Sequence, residues 1–229
     1  MSLLKLSHLY IKIANKLINQ LLKRVHIPLI KIKVGSDTLL AAIKPREDGG
    51  VDFLGASVIA DSNLPFNPEF NPSEWKRISS IYSEDPMSGT FLFMASLVFA
   101  GKLVSDSSVS PAAQDVMKRF YEKNKDTVNI VPNVLKESHV TKDKPWMTAG
   151  FTSGTVDRAP VDLAIQEGEK YKQLYSENDI IELIAGRFEY LYSKEEKTKT
   201  NKGVKIVQDP VQEKSYNDPS APMWKSNKK

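Results

Sequence analysis

Sixteen consecutive residues, Pro86 to Gly101, carry no charge, and this run constrains the chain more than any other feature. Its centre, Phe91-Leu-Phe-Met-Ala-Ser-Leu-Val-Phe-Ala100, has to leave water, either into a bilayer or into a protein core. A membrane-spanning helix wants about 20 predominantly apolar residues. As a helix, the apolar centre is about 15 Å long, half a bilayer. Lys102 follows almost at once. A buried core helix is therefore the favoured reading of residues 86–104, opened by Asp85-Pro86 as cap and first-turn proline. Ser96 and Ala100 are small enough to let a neighbour approach closely.

Around that helix the pattern predicts an α+β fold that is mainly helical, with a small antiparallel β-meander. Ile30, Ile32 and Val34 alternate with Lys31 and Lys33 up to the turn residues Gly35-Ser36-Asp37. Thr38–Lys44 is a second extended or short helical run. After the strong turn signal Asp48-Gly49-Gly50, residues 51–60 read as a further strand. Four or five further helices are expected. One follows Asn71-Pro72-Ser73-Glu74, with Trp75, Ile78 and Tyr82 on one face. Another starts at Ser110-Pro111, turning Ala113, Val116, Met117 and Phe120 inward. The last two run over about 161–175 and 177–193, the second capped by Ser176 with Asp179 in the capping-box position. Thr127–Leu135 reads as a short strand broken by Pro132, and residues 136–160 as loop.

The N-terminus is the second unusual feature. The first 36 residues hold no acidic side chain, but include Lys5, Lys12, Lys16, Lys23, Arg24, Lys31 and Lys33. From Ser2 to Arg24 there is no proline or glycine, and apolar residues recur at helical spacing. Lys5, His8, Lys12, Lys16, Asn19 and Lys23 collapse onto one narrow stripe. The remaining arc is wide and apolar, so a long amphipathic helix is expected over residues 1–26, burying most of its circumference. It can pack on the fold, lie on an anionic membrane or a neighbouring subunit, or act as an organellar targeting segment. Three stretches follow: this helix, a single α+β body over 27–193, and an extended or disordered basic tail over 194–229.

The net charge of +4 hides a segregation. Residues 1–36 carry +7, residues 194–229 carry nine Lys against five acids, and the middle, 37–193, has 16 basic and 23 acidic groups, or −7. Basic ends on an acidic body suit arms that reach for partners, whereas a nucleic-acid domain would be basic throughout. The chain has no cysteine, which removes disulfides, thiolate nucleophiles and zinc–thiolate or iron–sulfur ligation.

Catalytic constellations are not found in the sequence. His8, His26 and His139 are not spaced as metal ligands. The run Ala149–Thr155 offers glycines and hydroxyls but lacks the spacing and Gly-Lys-Ser/Thr ending of a phosphate loop. Glu167 with Glu169, and Glu182 with Glu189, read as solvated helix faces. Neither an enzyme nor a cofactor or metal is expected.

The residues singled out instead are contact candidates: Lys5, Lys12, Lys16, Lys23 and Arg24 on the basic stripe and its end, Phe66 and Phe70 in the repeated Phe-Asn-Pro arm, and Trp224 in the polar tail. Together they predict a structural or accessory subunit of a large multiprotein assembly, held to other protein subunits and to anionic lipid through residues 1–25. The specific setting expected is a mitochondrial inner-membrane complex. The alternative is a virion structural or connector protein, in a virion or the cytoplasm, with nucleic acid as a secondary contact.

Overall fold

The computed structural model describes residues 27–106, 109, 111–138, 141–182 and 184–186. The chain divides into two compact units, Met1–Tyr171 and Lys172–Lys229. The expected N-terminal helix (1–26) and basic tail (194–229) lie outside the described residues.

The fold is not mainly helical. Its frame is a seven-stranded mixed sheet, and the strands expected as a small meander are only its first part. β1 (Leu29–Val34), β2 (Asp37–Pro45), β3 (Val51–Asp61) and β4 (Lys76–Ser83) run antiparallel, each beside the next. The helix α1 (Pro86–Ala100) then carries the chain to β5 (Lys102–Val104), parallel to β4. After α2 (Pro111–Asn124) come β6 (Ile130–Val131), the single-turn α3 (Pro145–Thr148), β7 (Gly150–Thr152) and α4 (Ala159–Lys172). β7 inserts between β5 and β6, giving the order β1-β2-β3-β4-β5-β7-β6.

β4 is where the sequence pattern misleads. Trp75, Ile78 and Tyr82 have helical spacing, yet residues 76–83 form a strand. Ile59 pairs with Ile78 and Val58 with Ser80, so Ser79 is an extra, bulged residue. A bulge interrupts the strict alternation of a strand and places Ile78 and Ile81, three apart, against the same core. That spacing imitates a helix. β5 and β7 leave no sequence signal for another reason: each has three residues, too few for a period to show.

α1 lies in the core of this unit. Its apolar residues are spread around its whole circumference, and Phe91, Leu92, Phe93, Leu97 and Val98 are all buried. Burying each is worth about 2 kcal/mol, so the five supply on the order of 10 kcal/mol before entropy is charged. Leu29, Leu40, Ala42 and Ile59 of the sheet, Met117 and Phe120 of α2, and Val161 and Ile165 of α4 share its cluster. Phe93 meets Phe120 and Phe151 edge-on, at 5.6 Å in each case, tying α1 to α2 and β7. One polar contact crosses this core: Ser57 Oγ of β3 and Ser96 Oγ of α1 are 2.7 Å apart and both fully buried. No helix among the described residues is long and apolar enough to cross a membrane.

In the second unit, Asp179 N donates to Ser176 Oγ (3.1 Å) and Ser176 N to Asp179 Oδ2 (3.2 Å), a reciprocal helix cap. Residues 177–182 and 184–186 are helical.

α4 sits on β1 through a glycine. A Cβ on Gly168 would fall 2.1 Å from the Leu29 carbonyl oxygen and 2.8 Å from Ile30 N. Gly168→Ala should therefore destabilise the protein by about 1–3 kcal/mol, although alanine is the better helix former by about 1 kcal/mol. Urea denaturation measures the sign, and a gain in stability would show that α4 does not rest on β1 this closely.

Candidate functional site

Ligands in open α/β sheets gather outside the carboxyl ends of parallel strands, where the topology reverses. Among the described strands the only parallel pair is β4 with β5, so their split is the place to look. Pairing is brief: Lys76 with Leu103 and Arg77 with Val104. From Ile78 to Ser83 no described strand pairs with the second edge of β4. α1 begins just beyond β4 and aims its N-terminus, with its partial positive charge, at the same region.

That N-terminus is already filled. Asp85 adopts an extended cap conformation, and its Oδ1 accepts from Met87 N at 2.8 Å and Ser88 N at 2.9 Å. Ser88 Oγ donates to Asp85 Oδ2 at 2.6 Å. The Ser88 hydroxyl first, then the backbone N–H groups of Ser88 and Met87, hold the Asp85 carboxyl below the usual aspartate range. An anion arriving here would meet a carboxylate in the position a phosphate would need. Tyr82 hydroxyl donates to Glu84 Oε1 alongside, placing a second acidic group near the rim.

Elsewhere two further carboxyls are held by structural contacts. Glu74 is lowered chiefly by the hydrogen bond from Lys102 Nζ, at 2.5 Å, and Asp48 by the Gly50 N–H that closes its turn. A general acid needs the opposite displacement. Arg77 Nη1 and Asp106 Oδ1 form a largely buried pair at 3.4 Å, beside the two rungs that join β4 to β5. Among the described residues no group of three His, Cys, Asp or Glu side chains could hold a metal.

The contact candidates fall in different places. Phe66 is 8% exposed and packs with Trp75, Val104, Val134 and Leu135. It pairs with Leu135 in an isolated bridge, and Asn67 N and Lys136 N donate to Val134 and Pro65 carbonyls on either side. Phe70 is half-buried, edge-on to Trp75 at 6.4 Å. The structure thus brings Phe66 and Phe70 into one cluster at the β5–β7 end of the sheet. Gly150, in a run with the composition of a loop, makes this possible: a Cβ there would lie 2.3 Å from the Trp75 ring. Lys5, Lys12, Lys16, Lys23, Arg24 and Trp224 lie outside the described residues, as do His8, His26 and His139. The sequence did not single out Trp75 with Gly150 or Arg77 with Asp106 as pairs, because each joins segments far apart in the chain.

No family model, curated protein or solved structure matches the chain.

Replacing the cap tests the electrostatics of the split. Asp85→Ala should cost about 1 kcal/mol of folding stability at neutral pH, the usual worth of an N-cap. Because the folded carboxyl is lowered, its contribution is complete above the ordinary aspartate range and vanishes as pH falls through the lowered value. Denaturation midpoints of wild type and Asp85→Ala should therefore converge in acid; a gap that persists there would mean the carboxylate charge does not matter.

Proposed function

We propose that this chain is a non-catalytic accessory subunit of a larger protein assembly, held to its neighbours through its basic ends. The observation that carries this is the charge segregation: ends of +7 and +4 flank a body of −7. The body supports the reading with a sheet split whose helix N-terminus is occupied by the chain's own Asp85. A second support is the second edge of β4 from Ile78 to Ile81, which no described strand pairs with, since such an edge can seat an extended segment of a partner. β1, the outer strand on the other side, exposes Lys31 and Lys33, the usual protection of an edge that is not meant to pair.

The surface gripped is negative in this proposal, whether a protein face or anionic lipid, and the mitochondrial inner membrane is its specific setting. In extracts of its source, the full-length chain should co-migrate with other subunits well above a monomer's mass, and should sediment with inner-membrane fractions. Changing Lys5, Lys12, Lys16 and Lys23 together to Glu should weaken that association about tenfold or more and flatten its salt dependence. A native chain that runs as a monomer would sink the proposal, and so would unchanged association of the Glu variant. Salt-sensitive DNA binding that disappears without residues 194–229 would favour a virion connector instead.

A further inference from the structure

The two edges of β4 are used unequally. Along one edge it pairs with β3 from Lys76 to Ser83. Along the other it meets β5 only at Lys76 and Arg77, because β5 ends at Val104. Ile78, Ser79, Ser80 and Ile81 therefore face no described strand on that side. All four are half-buried, within reach of solvent.

Three features mark this stretch as built to be paired. The first is that nothing guards it. No charge and no proline falls between Ile78 and Ser83, whereas the outer strand β1 exposes Lys31 and Lys33. Ser80 Oγ donates to the Ser79 carbonyl at 2.8 Å and Ser79 Oγ to the Val58 carbonyl at 3.5 Å, so both hydroxyls turn back onto the protein's own main chain. The second is apolar surface left over. Ile78 and Ile81 pack only partly against the α1 cluster, and side chains of an added strand would cover the remainder. The third is a missing acceptor where the edge begins. Arg77 Nε is buried without a hydrogen-bond partner, in a side chain only 13% exposed. Asp106 Oδ1, 3.4 Å from Nη1, already balances the guanidinium charge. The absent partner is therefore a neutral oxygen rather than a second anion, and a main-chain carbonyl is such an oxygen.

We propose that this edge takes an extended segment of a partner protein as an added strand. Ile78 to Ile81 span about 13 Å, so a segment of about five residues fills it. Its apolar residues alternate, which sets every second side chain beside Ile78 and Ile81. The far end of the edge fixes its charge. Glu84 and Asp85 follow β4 directly, in a body of net −7, so the segment carries a lysine or arginine at that end and an acidic one is repelled. The proposal rests on the chain working within an assembly, and it adds a contact made by the body rather than by the basic ends.

Amide hydrogen exchange on the full chain, read by NMR, tests it with a defined probe. The probe is the acetylated, amidated peptide Lys-Val-Thr-Val-Thr-Lys, whose two lysines serve either strand direction. In excess peptide, those amides of Ile78–Ile81 that exchange freely in the protein alone should slow about tenfold or more, while the amides of β1 stay unchanged. The peptide with Glu for both Lys should bind about tenfold more weakly at low salt. The peptide with Pro for both Val should not bind, because it cannot donate along the ladder. No slowing at Ile78–Ile81, or an equal effect of the Pro peptide, would overturn the proposal. Slowing present without peptide and lost on dilution would overturn it as well, by giving the edge to a second copy of this chain. Failure here leaves the proposed function standing, since the basic ends take no part in the titration. A native chain that runs as a monomer would sink that function without altering the peptide result.

Discussion

The burial of α1 against the sheet is the interaction on which the other elements of the first unit depend. An uncharged helix with apolar side chains on every side has to bury most of its surface, so the sheet, α2, β7 and α4 are all recruited around it and Met87 in the first turn is left exposed. Ser57 and Ser96 satisfy each other inside that contact, and neither hydroxyl is left unpaired in the core. The two ends are set by local chemistry. Asp85 caps the start, and Gly101, with φ +81°, turns the chain through a conformation other residues resist, so that β5 can begin at once. The parallel placement of β5 beside β4, and hence the split between them, follows from where α1 starts and stops.

The parts of this fold legible in the sequence are those set by neighbours in the chain. The turn at Asp48-Gly49-Gly50 marks β2 and β3, and Asp85-Pro86 marks the start of α1. What stayed hidden is set by distant partners. β4 looks helical because the bulge at Ser79 breaks its alternation, and only pairing with β3 reveals it. β5, β6 and β7 are two or three residues long and exist because Phe151 pairs with both Leu103 and Ile130. A run of glycine, serine and threonine with no tertiary partner reads as loop; with the Trp75 ring over Gly150 its first residues become a strand paired on both sides.

The same division holds for the site. The cap role of Asp85 is readable from its place before Pro86, but its position at the open end of a parallel strand pair is not. Phe66 and Phe70 stand out in the sequence as apolar side chains in an irregular segment. Their shared cluster depends on Val134 and Leu135, nearly seventy positions away by number. The basic ends and acidic body behind the proposed function are properties of the sequence and hold for either fold class, whereas the Asp85 cap beside the sheet split comes from the structure.

The central claim is that α1 is the interior post of the folded protein rather than a membrane segment. Native-state amide hydrogen exchange across increasing denaturant tests it most directly, residue by residue. The amides from Phe91 to Val98 should exchange only by global unfolding, with the same opening free energy as the slowest positions of β2 and β3. Exchange of those amides through an opening well below the global stability would contradict the account, because a helix that can leave the core cheaply is not what holds the sheet.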